Sequence, residues 1–474
     1  MNILAIDQGT SATKALLIGP GQEVLGRAEV PVRTTAVGGD GVEADPEELW
    51  RSVVGVGEQA VAAARAPAHA VALANQGETV LAWDRATGKP LSRAIVWQDR
   101  RSAAICERLS GRAAELTRIT GLPLDPYFAA PKMTWLRENV TTDGVVTTTD
   151  SWLLHRLGAQ YVTDAATASR TMLLDLDAAE WSDRACAAFG VDPGTLPHVA
   201  DCAGVVGETR IFGEQPLPVA GIAVDQQAAL YAHGCTNQGD AKCTYGTGAF
   251  LLVTTGEKAA RSGAGLSASV AWRLAGATVY CLDGQVYTAG SALRWLAEVG
   301  VLPAPADLDG VAGTVPDSGG VTFVPALAGL GAPQWAPHAR GQLAGLTLAT
   351  GKGHVARAVA EGIAASVTLL AEAAAADLGA PLTALRVDGG LTRSRVLLQA
   401  QADLLQVPVL VSRTPDATAL GVAALARLAL GEGAQNKAAQ PSAEVEQAVH
   451  PVITADQASE RLSRYRHALA CTLS

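Results

Sequence analysis

The stretch AIDQGTSATKALLIG, residues 5–19, puts a lone acid, Asp7, in a short apolar run, turns through Gly9-Thr10, and enters a second apolar run carrying Lys14. A hairpin needs only the glycine. A carboxylate and a cation on its shoulders suit a metal-bound phosphate. The turn offers backbone N–H groups as an anion nest, and the Thr hydroxyl adds a donor. Asp7 would hold Mg²⁺ directly or through water, and Lys14 would offset phosphate charge. In the plainer alternative Asp7 steadies the turn and Lys14 is a surface charge. No G-x-x-x-x-G-K-[ST] occurs, so this is not a Walker A loop.

About halfway along the chain, CTYGTGAFLLVTTG (residues 243–256) repeats the pattern, with Gly-Thr between two β-type apolar runs. Two such hairpins, one per half, predict two related domains whose turns face a shared cleft, although Gly-Thr turns also recur by chance in a glycine-rich chain. In GIAVDQQAALYAHG an acid, Asp225, ends an apolar strand and opens a helix. Such a carboxylate can take a proton from an attacking hydroxyl that Gln226 orients, or serve only as an N-cap. ANQGETVLAWD and AIVWQDRRS bring Glu78 in a turn and Trp97 at a strand end. A carboxylate beside an aromatic wall grips hydroxyls and covers the C–H faces of a polyol; the alternative is a solvated Glu78 and a core Trp97. RVDGGLTRSR sets two glycines between a strand end and a helix start, where a base or ribose could approach or the chain simply turns.

Strands and helices must position these residues. DPEELW begins a helix with Asp as N-cap and Pro at its first position. Residues 150–160 and 285–298 also read as helices. ALRVDGG and VPVLVSR read as strands, RSRVLLQAQADLLQ as a helix, and DATALGVAALARLALG as a small-residue helix. Strands alternating with helices predict an α/β class with parallel strands. The chain has 474 residues, too many for one core. A net charge of −10 argues against bulk binding of nucleic acid or an anionic membrane. Seven scattered cysteines with no C-x-x-C fit a reduced, cytoplasmic setting without a zinc site. The N-terminus reads as a strand rather than a signal peptide, and no apolar run reads as membrane-spanning.

Taken together, the motifs resemble those of the FGGY carbohydrate kinases, and within them the glycerol kinases. The resemblance runs nearly end to end: AIDQGTSATKALL, NQGETVLAWDRATGKPLSRAIVWQDRR, DPYFAAPKMTWL, DSWLLHRL, VTDAATASRTMLLDL, GIAVDQQAALYAHGC, TYGTGAF, GLGAPQWAPHARGQLAGLT and RVDGGLTRSRVLLQAQADLL. It implies a two-domain actin-like, ribonuclease-H-like fold, with residues 1–230 and 231–474 meeting at a central cleft. It also implies ATP and Mg²⁺, with Asp7 near the metal. Thr10, Ser11 and Lys14 would lie in the first phosphate hairpin, and Gly246 and Thr247 in the second. Gly389, Gly390 and Ser394 would lie near the adenosine. Asp225 would be the general base and Gln226 a substrate contact. Gly77, Glu78, Trp97, Tyr127 and Phe250 would line the substrate pocket.

Three departures bear on this. Gly77 stands where glycerol kinases carry Arg, which removes donors and opens volume. Ser394 stands where they usually carry Asn near the adenine. IFGEQPLPVAG lacks a glycine- and basic-rich loop that carries sugar-phosphate inhibition in some members. The expectation is an ATP-dependent kinase acting on a primary hydroxyl of glycerol or another small polyol or sugar; the alternatives are a tetritol, a pentitol or a ketose. Rivals of another class are an actin- or chaperone-like ATPase and a non-catalytic sugar sensor. No nucleic-acid or membrane partner is expected, and the expected assembly is a homodimer or homotetramer.

Overall fold

The computed structural model describes residues 1–413, 416–432 and 445–474. The opening apolar run, Ile3–Gln8, is an almost wholly buried strand. It pairs antiparallel with Ala12–Ile18 and parallel with Ala70–Asn75. A six-stranded sheet grows from this nucleus, in the order Val205–Thr209, Leu217–Val224, Ala70–Asn75, Ile3–Gln8, Ala12–Ile18, Val24–Pro31. The helix Pro46–Ala64 covers one face. Its N-cap is Asp45, whose carboxylate accepts from Glu47 N at 3.0 Å, with Pro46 at the first position as the sequence predicts.

The second sheet repeats the plan. Ala241–Tyr245 pairs antiparallel with Ala249–Gly256 and parallel with Leu385–Asp388, which pairs parallel with Val409–Ser412. The two Gly-Thr hairpins therefore occupy equivalent places in two sheets of related topology, as the internal echo predicts. One expected boundary moves. The helix expected over 285–298 begins only at Gly290, because Gln285 and Val286 stay in register with Phe250 and Ala249 as the end of a strand.

Two helices form the seam between the sheets. Asp225–Ala232 follows the last parallel strand of the first sheet, and Ala417–Ala429 follows that of the second. They pack on each other, and Ala417–Ala429 also lies on the first sheet although it comes late in the chain. Their approach is close: a Cβ on Gly421 would meet Ala228 O at 1.9 Å. The small-residue composition of this helix is thus a packing requirement. Among the described residues one helix, Lys352–Leu378, is long and apolar enough to cross a bilayer, contrary to the sequence expectation of none. Its Val359, Ile363, Val367 and Leu370 are buried in the core of the second domain.

Candidate active site

Both hairpins open onto one cavity of about 370 Å³. Thr10 and Ser11 line it from the first domain, and Gly246, Thr247 and Phe250 from the second. Gly77, Glu78, Trp97, Tyr127, Asp225 and Gln226 line the same space. A larger depression of about 640 Å³ lies among Ile105, Met133 and Phe189 and shares no lining residue with it.

The first hairpin is held by the sheet register, which sets Asp7 opposite Lys14. Thr10 is tied sideways. Its hydroxyl accepts from Trp97 Nε1 at 2.8 Å and donates to Gln76 Oε1 at 3.1 Å. Trp97 is therefore both wall and brace: its ring nitrogen locks the turn while the side chain lines the cavity. Lys14, a rung behind the turn, is not among the lining residues.

In the second hairpin Gly246 N donates to Gly248 O at 2.8 Å. The turn carbonyls cap the helix Gly290–Glu298: Gly290 N donates to Gly246 O, and Ala289 N and Ser291 N donate to Thr247 O. That helix terminus is thus satisfied by the protein, which leaves Thr247 exposed toward the cavity. A Cβ on Gly246 would meet nothing closer than 3.9 Å, so the space above this glycine is open.

Glu78 sits in the turn between Ala70–Asn75 and Val80–Trp83. Its Oε1 accepts from Arg170 Nε at 2.7 Å, and Arg170 Nη1 lies 2.9 Å from Asp283 Oδ2. Arg170 is 2 % exposed, so this is a buried carboxylate–guanidinium–carboxylate triad. Burial pushes the Arg170 pKa down, but Asp283 and Glu78 outweigh it and the net shift is upward. Asp283 itself is raised to about 6, chiefly by burial, with Arg170 opposing.

Around Glu78 stands an aromatic wall. Trp97 meets Tyr127 edge-to-face at 5.6 Å and Phe250 at 6.2 Å, so the wall spans both domains. Lys132, fully buried, steadies it by donating to the carbonyls of Pro126, Tyr127 and Phe128. Arg100 is taken up by Asp125 at 2.6 Å and does not line the cavity, whereas Gln98 does.

Asp225 opens its helix beside this wall. Burial raises its pKa to about 7, with Asp7 and Glu78 adding and Lys242 opposing. Asp7 is raised to about 6 by burial, with Lys14 opposing and Asp416 and Glu29 adding. Asp7 thus raises the proton affinity of Asp225, although Asp7 itself is not among the lining residues of the cavity. Among the described residues no cluster of three or more His, Cys, Asp or Glu suits a metal. So sparse a set of carboxylates fits Mg²⁺, which takes one or two carboxylates and completes its shell with water and phosphate.

Gly389, Gly390 and Ser394 lie outside this cavity lining. Gly389 has φ +93°, and a Cβ there would meet Tyr245 O at 2.4 Å, so the glycine serves the close approach of two strands. Gly390 faces open space. Ser394 is the N-cap of the helix Arg395–Leu405, and its hydroxyl also donates to Asp309.

Sequence reasoning missed Arg170, Asp283, Lys132 and Lys242. Arg170, Asp283 and Lys132 are each a single charge inside an apolar or small-residue run, as in ATASRTML and VYCLDGQV, whereas Lys242 follows Asp240 by two residues. Such a charge is buried only with partners, and that was the signal available.

The chain is similar to known proteins along nearly its whole length. Residues 2–232 match the N-terminal domain of the FGGY family of carbohydrate kinases, and residues 241–430 match its C-terminal domain. The chain is 44% identical to a glycerol kinase of Trichlorobacter lovleyi, covering 97% of this chain and 96% of that protein. It is also 44% identical to a glycerol kinase of Thermus brockianus, covering 89% and 88%. The crystal structure of Plasmodium falciparum glycerol kinase with ADP matches with a TM-score of 0.92 at 28% identity, covering 100% of this chain and 98% of that one.

Proposed function

The chain belongs to the FGGY family of carbohydrate kinases, and we propose that it transfers the γ-phosphoryl group of ATP to a primary hydroxyl of a small polyol, glycerol before others. The observation that carries this reading is the convergence of two phosphate-type hairpins, the Glu78–Trp97 pair and Asp225 on one cavity.

Glu78 has one oxygen held by Arg170, and its other oxygen is available to accept from substrate hydroxyls. Trp97, Tyr127 and Phe250 cover the C–H faces. Asp225 accepts the proton of the attacking hydroxyl; a group poised near neutrality suits that task. The N–H groups and hydroxyls of the two hairpins, Ser11 and Thr247 among them, receive the phosphates. Asp7 would hold Mg²⁺, directly or through water, and the ion when bound would neutralise charge on the phosphates. Closure of the two domains over the cavity would exclude water and suppress ATP hydrolysis.

A second reading, a four- or five-carbon polyol, rests on Gly77, which brings no charged donor to that part of the wall, although Val224 and Arg170 take up the space beside it. An ATPase that switches shape or a sugar sensor needs no acid beside an aromatic polyol wall. The test is ATP consumption with glycerol, tetritols, pentitols and ketoses. Polyol-dependent turnover supports the kinase; equal ATP turnover with and without every sugar removes it.

A further inference from the structure

Lys242 lies in the central strand Ala241–Tyr245 of the second sheet and is 0 % exposed. Among the described residues it has no carboxylate at ion-pair distance. Its ammonium instead donates to Gln226 Oε1 at 2.6 Å and to Thr244 Oγ1 at 2.9 Å. Both partners line the cavity. Burying an ammonium costs far more than burying a methylene chain of the same length. A residue that only filled this space would be Leu or Met, so the charge points to a task at the cavity.

We propose that Lys242 is a positioning residue for phosphoryl transfer, which acts by fixing the orientation of the Gln226 amide. The proposal rests on reading this cavity as a polyol kinase site. An ammonium has three donors and no acceptor, so the atom facing it must be the amide oxygen. That settles which way the amide points and commits its NH₂ group to the other side. Among the described residues Gln226 Nε2 donates to no protein group, whereas the backbone N–H of Gln226 is engaged by Asp225 Oδ1 at 2.7 Å. Toward the cavity Gln226 is therefore a pure donor. A hydroxyl beside it can offer only its oxygen, so its hydrogen is left to point at Asp225. Lys242 thus selects the hydroxyl rotamer from which the proton can leave, without touching the substrate. Three carboxylates, the half-buried Asp225 and the buried Asp283 and Asp388, also feel its charge from beyond contact distance.

The test is a double-mutant cycle on the full chain with glycerol, or with the polyol turned over fastest, comparing Lys242→Met, Gln226→Ala and the double variant. Lys242→Met is expected to lower kcat/KM for the polyol about 10-fold or more, with KM for ATP within about twofold. In the Gln226→Ala background the same change is expected to cost less than about threefold. Lys242→Gln keeps a donor for the Gln226 oxygen and relieves the buried charge. It covers the case in which Lys242→Met does not fold, and is expected to recover most of the polyol kcat/KM. Equal factors in both backgrounds, unchanged kinetics for folded Lys242→Met, or no recovery in folded Lys242→Gln overturn the proposal alone. An unmodified enzyme with no polyol-dependent turnover overturns the reading beneath it as well.

Discussion

Gly77 and Val224 face each other so closely that a Cβ on residue 77 would lie 2.7 Å from Val224 Cγ2 and 3.7 Å from Arg170 Cγ. Val224 is 3 % exposed, ends the strand Leu217–Val224 and immediately precedes Asp225. The volume expected from the absence of an Arg side chain at residue 77 is thus partly filled by a stiff branched side chain that has little room to move. Gly77→Arg alone should overpack the site, lowering stability by about 1–3 kcal/mol and activity on every polyol. Combined with Val224→Ala, the same substitution should recover stability and raise kcat/KM for glycerol relative to tetritols and pentitols. Thermal unfolding and a substrate panel check this. A Gly77→Arg protein as stable as the unmodified one would show that Val224 yields easily and that glycine is not a packing requirement.

Asp225→Asn should lower kcat by about 10²–10⁴-fold with little change in ATP affinity, since an amide cannot accept the proton. In the unmodified enzyme kcat/KM should fall as pH drops below about 7, where Asp225 becomes protonated. Stability runs the other way. The folded-state pKa is raised above the ordinary value of 3.8, so the stabilising effect of protonation is full below that value and is lost as pH rises through about 7. Asp225→Asn should therefore raise the melting temperature at pH 8 more than at pH 5. Near-normal turnover in the variant would remove Asp225 as the base.

Gly246→Val probes the second hairpin cleanly, because the new side chain would enter open space rather than strike the protein. Folding should be unaffected while ATP affinity falls. An unchanged Kd in a nucleotide titration would make this turn structural only.

Arg170→Met should destabilise the fold by about 3–5 kcal/mol, because Glu78 and Asp283 would be left buried without their shared cation. Arg170→Lys should rescue only part, since a single ammonium cannot reproduce the two directed contacts of the guanidinium. Chemical denaturation of the three proteins measures this, and equal midpoints would mean that the triad contributes nothing.

Local chemistry made much of this protein legible in the chain itself. The Asp45-Pro46 helix start, the strand–turn–strand hairpins and the acid at the head of Asp225–Ala232 follow from rules that act within a few residues. The repeat of the Gly-Thr hairpin predicted two related sheets, because each hairpin brings the same strand pairing with it. The polyol-type set of Glu78, Trp97 and Asp225 could be proposed from residue type alone.

What only the tertiary structure decided concerns pairs far apart in the chain. No local rule brings Arg170 between Glu78 and Asp283, joins Lys242 to Gln226 across the seam, or sets Val224 against Gly77. Nor could spacing reveal that Trp97 braces Thr10 through its ring nitrogen. The physical reason is that periodicity reports which face of an element is buried, whereas the partner met there is chosen by how the elements cross. Buried charges and steric contacts act over a few ångströms, and only the packing of two sheets on two crossing helices fixes distances of that size.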